Sequence, residues 1–165
     1  MEPEGTKVIF DAWFRRHERL LFKVLRVYAR TPDDREDLLQ EISLQLWRSL
    51  PHYNGEVAET TWTYRVAMYT AISWLRKERV PGRRVPTLGD GDRLLQDTAA
   101  PADPRMERLL EAVERLDAFD RSLAILMLDG CSYKEMSAVL GVTENHVGVK
   151  VNRLKQKLIR TVGGG

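Results

Sequence analysis

Cysteine is almost missing from this chain. Cys131 is the only one in 165 residues, so no internal disulfide can form. The three histidines, His17, His52 and His146, have neither an i, i+4 partner nor a neighbouring cysteine pair, so the spacing of a metal site is missing. No GxxxxGK or GxGxxG stretch occurs, which removes the usual phosphate-cradling loops. Asp33, Asp34, Glu36, Asp37 and Glu41 fall on a helix start, where carboxylates are solvated or bind a partner. With no nucleophile–base constellation either, the chain is expected to be no enzyme and to hold no cofactor. It has no long apolar run and no basic-apolar-small leader at Met1, so membrane insertion is not expected and a cytoplasmic location is the default. Charge of one sign is lacking too. The 26 Lys and Arg against 24 Asp and Glu leave +2, so any surface for nucleic acid must be a local patch.

That patch is legible in residues 132–158. SYKEMSAVL reads as a short helix with Met136, Val139 and Leu140 on one face. Gly141 follows, where a left-handed helix end needs no Cβ. Thr143 can cap a second helix, in which Val147, Val151, Leu154 and Leu158 recur at helical spacing. Ser137 and Ala138 are small enough for close approach. Two helices on a tight glycine turn form a helix-turn-helix, whose second helix enters the DNA major groove. From 143 to 160, Lys150, Arg153, Lys155, Lys157 and Arg160 face Glu144 alone. Such cations supply phosphate neutralisation, while Glu144, Asn145 and His146 are residue types that read base edges.

The rest of the chain predicts further helices and no strand. Residues 6–29 read as one amphipathic helix with Val8, Ile9, Ala12, Trp13, Leu20, Leu21, Val24, Leu25 and Tyr28 on its apolar face. Thr31 and Pro32 start the next, with Leu38, Leu39, Ile42, Leu46 and Leu50 as its core side. A loop over 51–59 carries Pro51, Asn54 and Gly55. A third helix over 60–78 places Trp62, Val66, Tyr69, Ile72 and Leu75 on its core side. The proline- and glycine-rich stretch 80–103 cannot bury a core and reads as a flexible linker. Asp103 and Pro104 restart order, with helices over 105–116 and 119–128, and residues 163–165 read as a frayed tail. The fold class expected is all-α: two small helical domains, 1–79 and 104–165, joined by a flexible linker over 80–103.

The two helical blocks resemble a known family. DREDLLQEISLQLWRSL followed by TTWTYRVAMYTAISWLRKE resembles the second conserved region of bacterial sigma factors, and RLDAFDRSLAILMLDGCSYKEMSAVLGVTENHVGVKVNRLKQKL resembles their fourth. Small size without a folded middle domain matches the extracytoplasmic-function (ECF) class. The resemblance implies transcription initiation, with core RNA polymerase and promoter DNA as partners. An anti-sigma factor is a common partner in that family, though no residue here names one. It also implies that Asp37, Gln40 and Glu41, matching D-x-x-Q-E, dock on the polymerase clamp with Leu44 and Trp47 nearby. The W-x-Y-R-x-A segment, matched from Trp62 to Ala67, would build the minus-ten reader.

Within that reader the loop residues His52, Tyr53 and Asn54, with Glu56, are expected to hold an unpaired base. Arg76 and Lys77, with Arg79, Arg83 and Arg84, would hold the strand's phosphates. Thr143, Glu144, Asn145, His146, Lys150, Arg153 and Lys155 would bind the minus-thirty-five element. The linker, with Asp90, Asp92 and Asp97, would run toward the RNA exit path. Two departures stand out. Met68 and Tyr69 occupy the places of a common Arg-Asn pair, and His146 to Lys150 replaces T-V-x-S-R, with Gly148 in its centre. The competing readings are a helix-turn-helix regulator that is no polymerase subunit and a helical adaptor that binds only proteins. A response regulator would need an α/β receiver, for which the first half has no strand pattern.

Overall fold

The computed structural model describes residues 3–78 and 103–163, and these form an all-α fold with no strand among them. The chain divides into two compact units, Met1–Asp97 and Thr98–Gly165. The expected linker lies, except for Asp103, outside the described residues. So do Arg79, Arg83, Arg84, Asp90, Asp92 and Asp97.

In the first unit, α1 (Pro3–Arg16) and α2 (Glu18–Tyr28) replace the single helix expected over 6–29. The break is His17, whose backbone leaves helical geometry at φ −113°, ψ 14°. Its buried imidazole Nδ1 lies 2.9 Å from the Trp13 carbonyl oxygen, which can only accept, so Nδ1 carries the proton. Because the axes part here, the apolar stripe does not run through. Val8 and Ile9 are 69% and 43% exposed, whereas Trp13 is buried. α2 buries Leu20, Leu21, Phe22, Val24, Leu25, Val27 and Tyr28, more than one face, because it packs against both α3 and α4.

α3 (Pro32–Ser49) starts as its sequence predicts. The Thr31 hydroxyl accepts from the Asp34 N–H at 3.1 Å, Pro32 occupies the first turn, and Asp33 and Asp34 meet the positive helix end. Leu38, Leu39, Ile42 and Leu46 are buried. Each full burial of such a side chain contributes about 1.5–3 kcal/mol. A 3-10 turn, Leu50–His52, follows, with Leu50 buried.

α4 (Glu59–Glu78) is rotated relative to the expected face. Its buried stripe is Tyr64, Ala67, Met68, Ala71 and Trp74, while Trp62, Val66, Ile72 and Leu75 are only half-buried and Tyr69 is 77% exposed. Small Ala67 and Ala71 let α4 approach α2 and α3 closely. The hydroxyls of Thr63 and Thr70 need not stay on the outside, since they donate at 2.7 Å to the carbonyls of Glu59 and Val66 one turn back.

The second unit holds four helices among the described residues: α5 (Pro104–Glu114), α6 (Ala118–Leu128), α7 (Tyr133–Leu140) and α8 (Glu144–Gly163). Three aspartate or serine caps set their starts. Asp103 accepts from the Arg105 N–H at 2.9 Å and Asp117 from the Asp120 N–H at 2.8 Å. Ser132 forms a reciprocal capping box with Glu135: each side chain accepts from the other's backbone N–H, at 3.1 and 3.0 Å. α8 continues to Gly163, the first residue of the tail expected over 163–165, and the other two lie outside the described residues.

Candidate functional site

The helix-turn-helix is α7, the turn at Gly141, and α8. Gly141 sits at φ +71° and its N–H returns to the Ser137 carbonyl at 2.9 Å, closing α7 in the left-handed conformation that glycine adopts without strain. The Ser137 hydroxyl donates to the Val142 carbonyl and so ties α7 to the turn. Thr143 then accepts from the His146 N–H at 3.1 Å and starts α8. Met136 and Val139 of α7 are buried together with Val147, Val151, Leu154 and Leu158 of α8. Burial of that stripe fixes which side of α8 faces outward. The opposite side, by helical geometry, carries Asn145, Val149, Asn152 and Gln156, all exposed.

The expected DNA-contact residues sort around this axis. Glu144, Asn145, His146, Arg153 and Lys155 are exposed; Thr143 is exposed but its hydroxyl is used as a cap. Lys150 lies on the flank, half-buried, with its ammonium 5.7 Å from the centre of the Phe119 ring. Gly148 faces the Tyr133 ring of α7, where an added Cβ would meet ring carbon at 3.4 Å. Val149, 46% exposed, and Asn152 on the outward side were not singled out from sequence. Their signal was available in the angular distance from the buried stripe.

In the first unit the loop over 51–59 rests on an aromatic cluster. Trp13 meets Tyr53 edge-on at 5.0 Å and Trp62 at 5.5 Å, and Tyr53 lies 5.3 Å from Trp62. The Tyr53 hydroxyl donates to the Val57 carbonyl at 2.6 Å. Tyr53 is thus half-buried and held in this cluster. His52, Asn54 and Glu56 remain exposed. Asn54 Oδ1 accepts from the Glu56 N–H at 3.0 Å, and Gly55 turns the chain at φ +80°. The base of the loop is anchored by the Trp13 indole donating to Thr63 Oγ1 at 2.8 Å and by Arg16 reaching Glu59 Oε1 at 3.0 Å.

The expected polymerase face on α3 is partly exposed. Leu44 is 42% exposed, a large apolar side chain beside half-buried Gln40, Glu41 and Trp47. The Trp47 ring packs edge-on against Phe10 of α1 at 5.5 Å. Asp37 does not stand free, because its carboxylate accepts the Trp74 indole N–H at 2.9 Å. A groove of about 420 Å³ runs between α3 and α4, lined by Glu41, Gln45, Arg65, Tyr69, Trp74 and Lys77. It brings together Glu41, singled out for polymerase, and Lys77, singled out for DNA. Arg76 is exposed on the same helix end. Tyr69, read as core from sequence, stands at this groove in the place of the missing Arg-Asn pair.

Among the described residues there is no group of three or more metal-ligating side chains, and no helix is long and apolar enough to cross a membrane.

Comparison with known proteins places these features. The sigma-70 region 2 family matches residues 13–80, which include the loop, α3 and α4. The ECF RNA polymerase sigma factor SigM of Mycobacterium tuberculosis is 29% identical over 164 residues, covering 96% of this chain and 80% of SigM. The ECF RNA polymerase sigma-E factor of Escherichia coli is 25% identical over 172 residues, covering 94% of this chain and 87% of that protein. Two solved structures share the fold. One is CnrH in complex with the cytosolic domain of CnrY, at TM-score 0.68, 20% identity, and coverage of 98% of this chain and 92% of that one. The other is the sigma factor RpoE in complex with the anti-sigma factor NepR from Bartonella quintana, at TM-score 0.62, 20% identity, and coverage of 91% and 96%. The sigma-70 region 2 match covers residues 13–80, and along nearly its whole length the chain is similar to ECF RNA polymerase sigma factors.

Proposed function

We propose that this chain is a transcription initiation factor that binds core RNA polymerase, directs it to specific promoters and assists DNA opening. The observation that carries this reading is the pairing, in one chain, of a region 2 block with a capped helix-turn-helix whose second helix presents five cations. It is a binding protein without an enzymatic reaction of its own, and it works in the cytoplasm. Run-off transcription with core polymerase over a pool of random promoters tests it. Co-elution with core enzyme and promoter-specific transcripts are expected. A protein that does neither is a regulator outside the polymerase.

Within that function Gln40, Glu41, Leu44 and Trp47 dock on polymerase, with Leu44 as an apolar anchor in a polar rim. Asp37 contributes by holding α3 to α4. The exposed loop residues His52, Asn54 and Glu56 take up an unpaired base, with Tyr69, Arg76 and Lys77 along the strand. On α8, Asn145, Val149 and Asn152 meet base edges, a valine methyl suiting thymine, while Lys150, Arg153 and Lys155 neutralise phosphates. An anti-sigma partner is part of this proposal; CnrH and RpoE, which share the fold, were each solved with a protein partner.

A further inference from the structure

Lys150 and His146 lie one turn apart on α8, and both meet the same ring. Phe119, near the start of α6, receives the Lys150 ammonium 5.7 Å from its ring centre and the His146 ring edge-on at 6.2 Å. Phe119 belongs to neither helix of the helix-turn-helix. It is half-buried at the rim of the unit, whereas the core of α6 is Leu123, Ala124, Ile125 and Leu126. Asp117 caps α6 two residues earlier and so fixes where the Phe119 backbone stands. The ring therefore has a defined place, and two side chains from the first turns of α8 are arranged upon it.

We infer that Phe119 is a positioning residue for DNA binding: its ring holds the Lys150 ammonium on the flank of α8, ready for a backbone phosphate. This inference rests on α8 being the DNA-binding helix. A free lysine side chain samples many rotamers and loses them when it contacts a phosphate. A lysine drawn to an aromatic face has already lost part of that freedom in the unbound protein. The ammonium carries three N–H donors, so one side can face the ring while another meets an anion. The flank is also where a phosphate contact belongs. Lys150 lies off the outward side of α8, which carries Asn145, Val149 and Asn152, on the flank where a groove-seated helix would meet backbone phosphates. The contact is to phosphate and not to a base, so it acts on duplexes of any sequence.

The test uses the full chain and a random-sequence duplex about three helical turns long. Lys150→Ala is expected to weaken binding and to reduce the salt slope by about one unit. Phe119→Leu is expected to weaken binding about two- to fivefold, as loss of an exposed cation–π contact would. Phe119→Trp should retain wild-type affinity. The deciding measurement is the double variant. If Phe119 acts through Lys150, Phe119→Leu changes nothing in the Lys150→Ala background. Side-chain NMR of the free protein adds a readout without DNA: the Lys150 ε-methylene protons should be shifted upfield by the ring, and the shift should vanish in Phe119→Leu. An equal loss from Phe119→Leu in both backgrounds, or no loss in either, overturns the positioning role while leaving α8 on the DNA. An unchanged affinity and slope in Lys150→Ala alone removes Lys150 from the DNA and the role of Phe119 with it, whereas the same result in both Lys150→Ala and Arg153→Ala removes α8 itself.

Discussion

The Trp74 indole donates to Asp37 Oδ2 at 2.9 Å, so a residue expected to face polymerase instead joins α3 to α4. A hydrogen bond to a charged group contributes about 1.5–3 kcal/mol, and an unpaired indole N–H left behind adds to the loss. Asp37→Ala should therefore lower thermal stability as well as core binding. Asp37→Asn keeps an acceptor and should preserve most of the stability. If Asp37→Ala melts like the wild type, the bond is not formed in solution and Asp37 returns to the polymerase face.

Leu44 offers the cleaner probe of that face. It is 42% exposed, so Leu44→Asp gives up part of its packing and some helix propensity and should cost about 1 kcal/mol while the unit stays folded. Co-elution with core polymerase should fall by at least tenfold, because a charge in the apolar centre of an interface is desolvated without a partner. Intact binding by Leu44→Asp would place the polymerase contact elsewhere.

How much of this was readable in advance depended on whether a signal was local. Thr31, Pro32, Asp103, Gly141 and Thr143 act through hydrogen bonds or dihedral angles within four residues, and each does in the structure what its position predicts. The buried stripe of α8 was legible because Val147, Val151, Leu154 and Leu158 are its main apolar positions. α4 was misread because it is apolar nearly all round. Its packing side is chosen by small residues, Ala67 and Ala71, that let two neighbours in, and hydropathy does not mark them. The break at His17 was hidden because histidine is no helix breaker. Its imidazole bonds locally to the Trp13 carbonyl, and the carboxylate of Glu59, 3.7 Å from its other nitrogen, is a neighbour that only the tertiary fold supplies. The same holds for Tyr53 and Phe119, whose partners are distant in sequence.

Gly148, in the centre of α8's first turns, has the Tyr133 ring of α7 as its neighbour. An added methyl would sit at 3.4 Å from ring carbon, ordinary contact with a side chain that is itself partly exposed. Gly148→Ala should raise stability by about 0.5–1 kcal/mol through helix propensity, read as a higher melting temperature. A lower melting temperature would mean that the Tyr133 ring cannot yield.

The capping box gives the second unit an acid-sensitive start. The Ser132 backbone N–H, and then its hydroxyl, hold the Glu135 carboxyl below the ordinary glutamate value. A carboxylate with a lowered folded pKa stabilises above its unfolded pKa, and that contribution is lost as pH falls through the folded value. Glu135→Gln should therefore flatten part of the acid side of the stability profile. Ser132→Ala should cost about 1 kcal/mol at neutral pH by removing the cap itself. A Glu135→Gln profile that parallels the wild type through the acid range would show that the carboxylate contributes nothing.

The last expectation concerns the loop over 51–59, where base capture and loop architecture must be separated. Tyr53 is held by Trp13, Trp62 and the Val57 carbonyl, so its substitution disturbs the loop's foundation before it disturbs any base. Asn54 has both kinds of role available: its Oδ1 caps the Glu56 N–H, while its amide group reaches solvent. Asn54→Asp keeps the acceptor and removes the amide donors, whereas Asn54→Ala removes both. His52, exposed and outside the turn's hydrogen bonds, can be changed to Ala at little cost to the loop. On a promoter complex probed with permanganate, His52→Ala and Asn54→Asp should both reduce thymine reactivity around the minus-ten element while melting as the wild type does. Tyr53→Phe should lower thermal stability by about 1 kcal/mol through the lost hydroxyl bond and leave base preference unchanged. If Tyr53→Phe alters base preference while His52→Ala and Asn54→Asp do not, the ring leaves its cluster to meet the base, and the loop rearranges on opening.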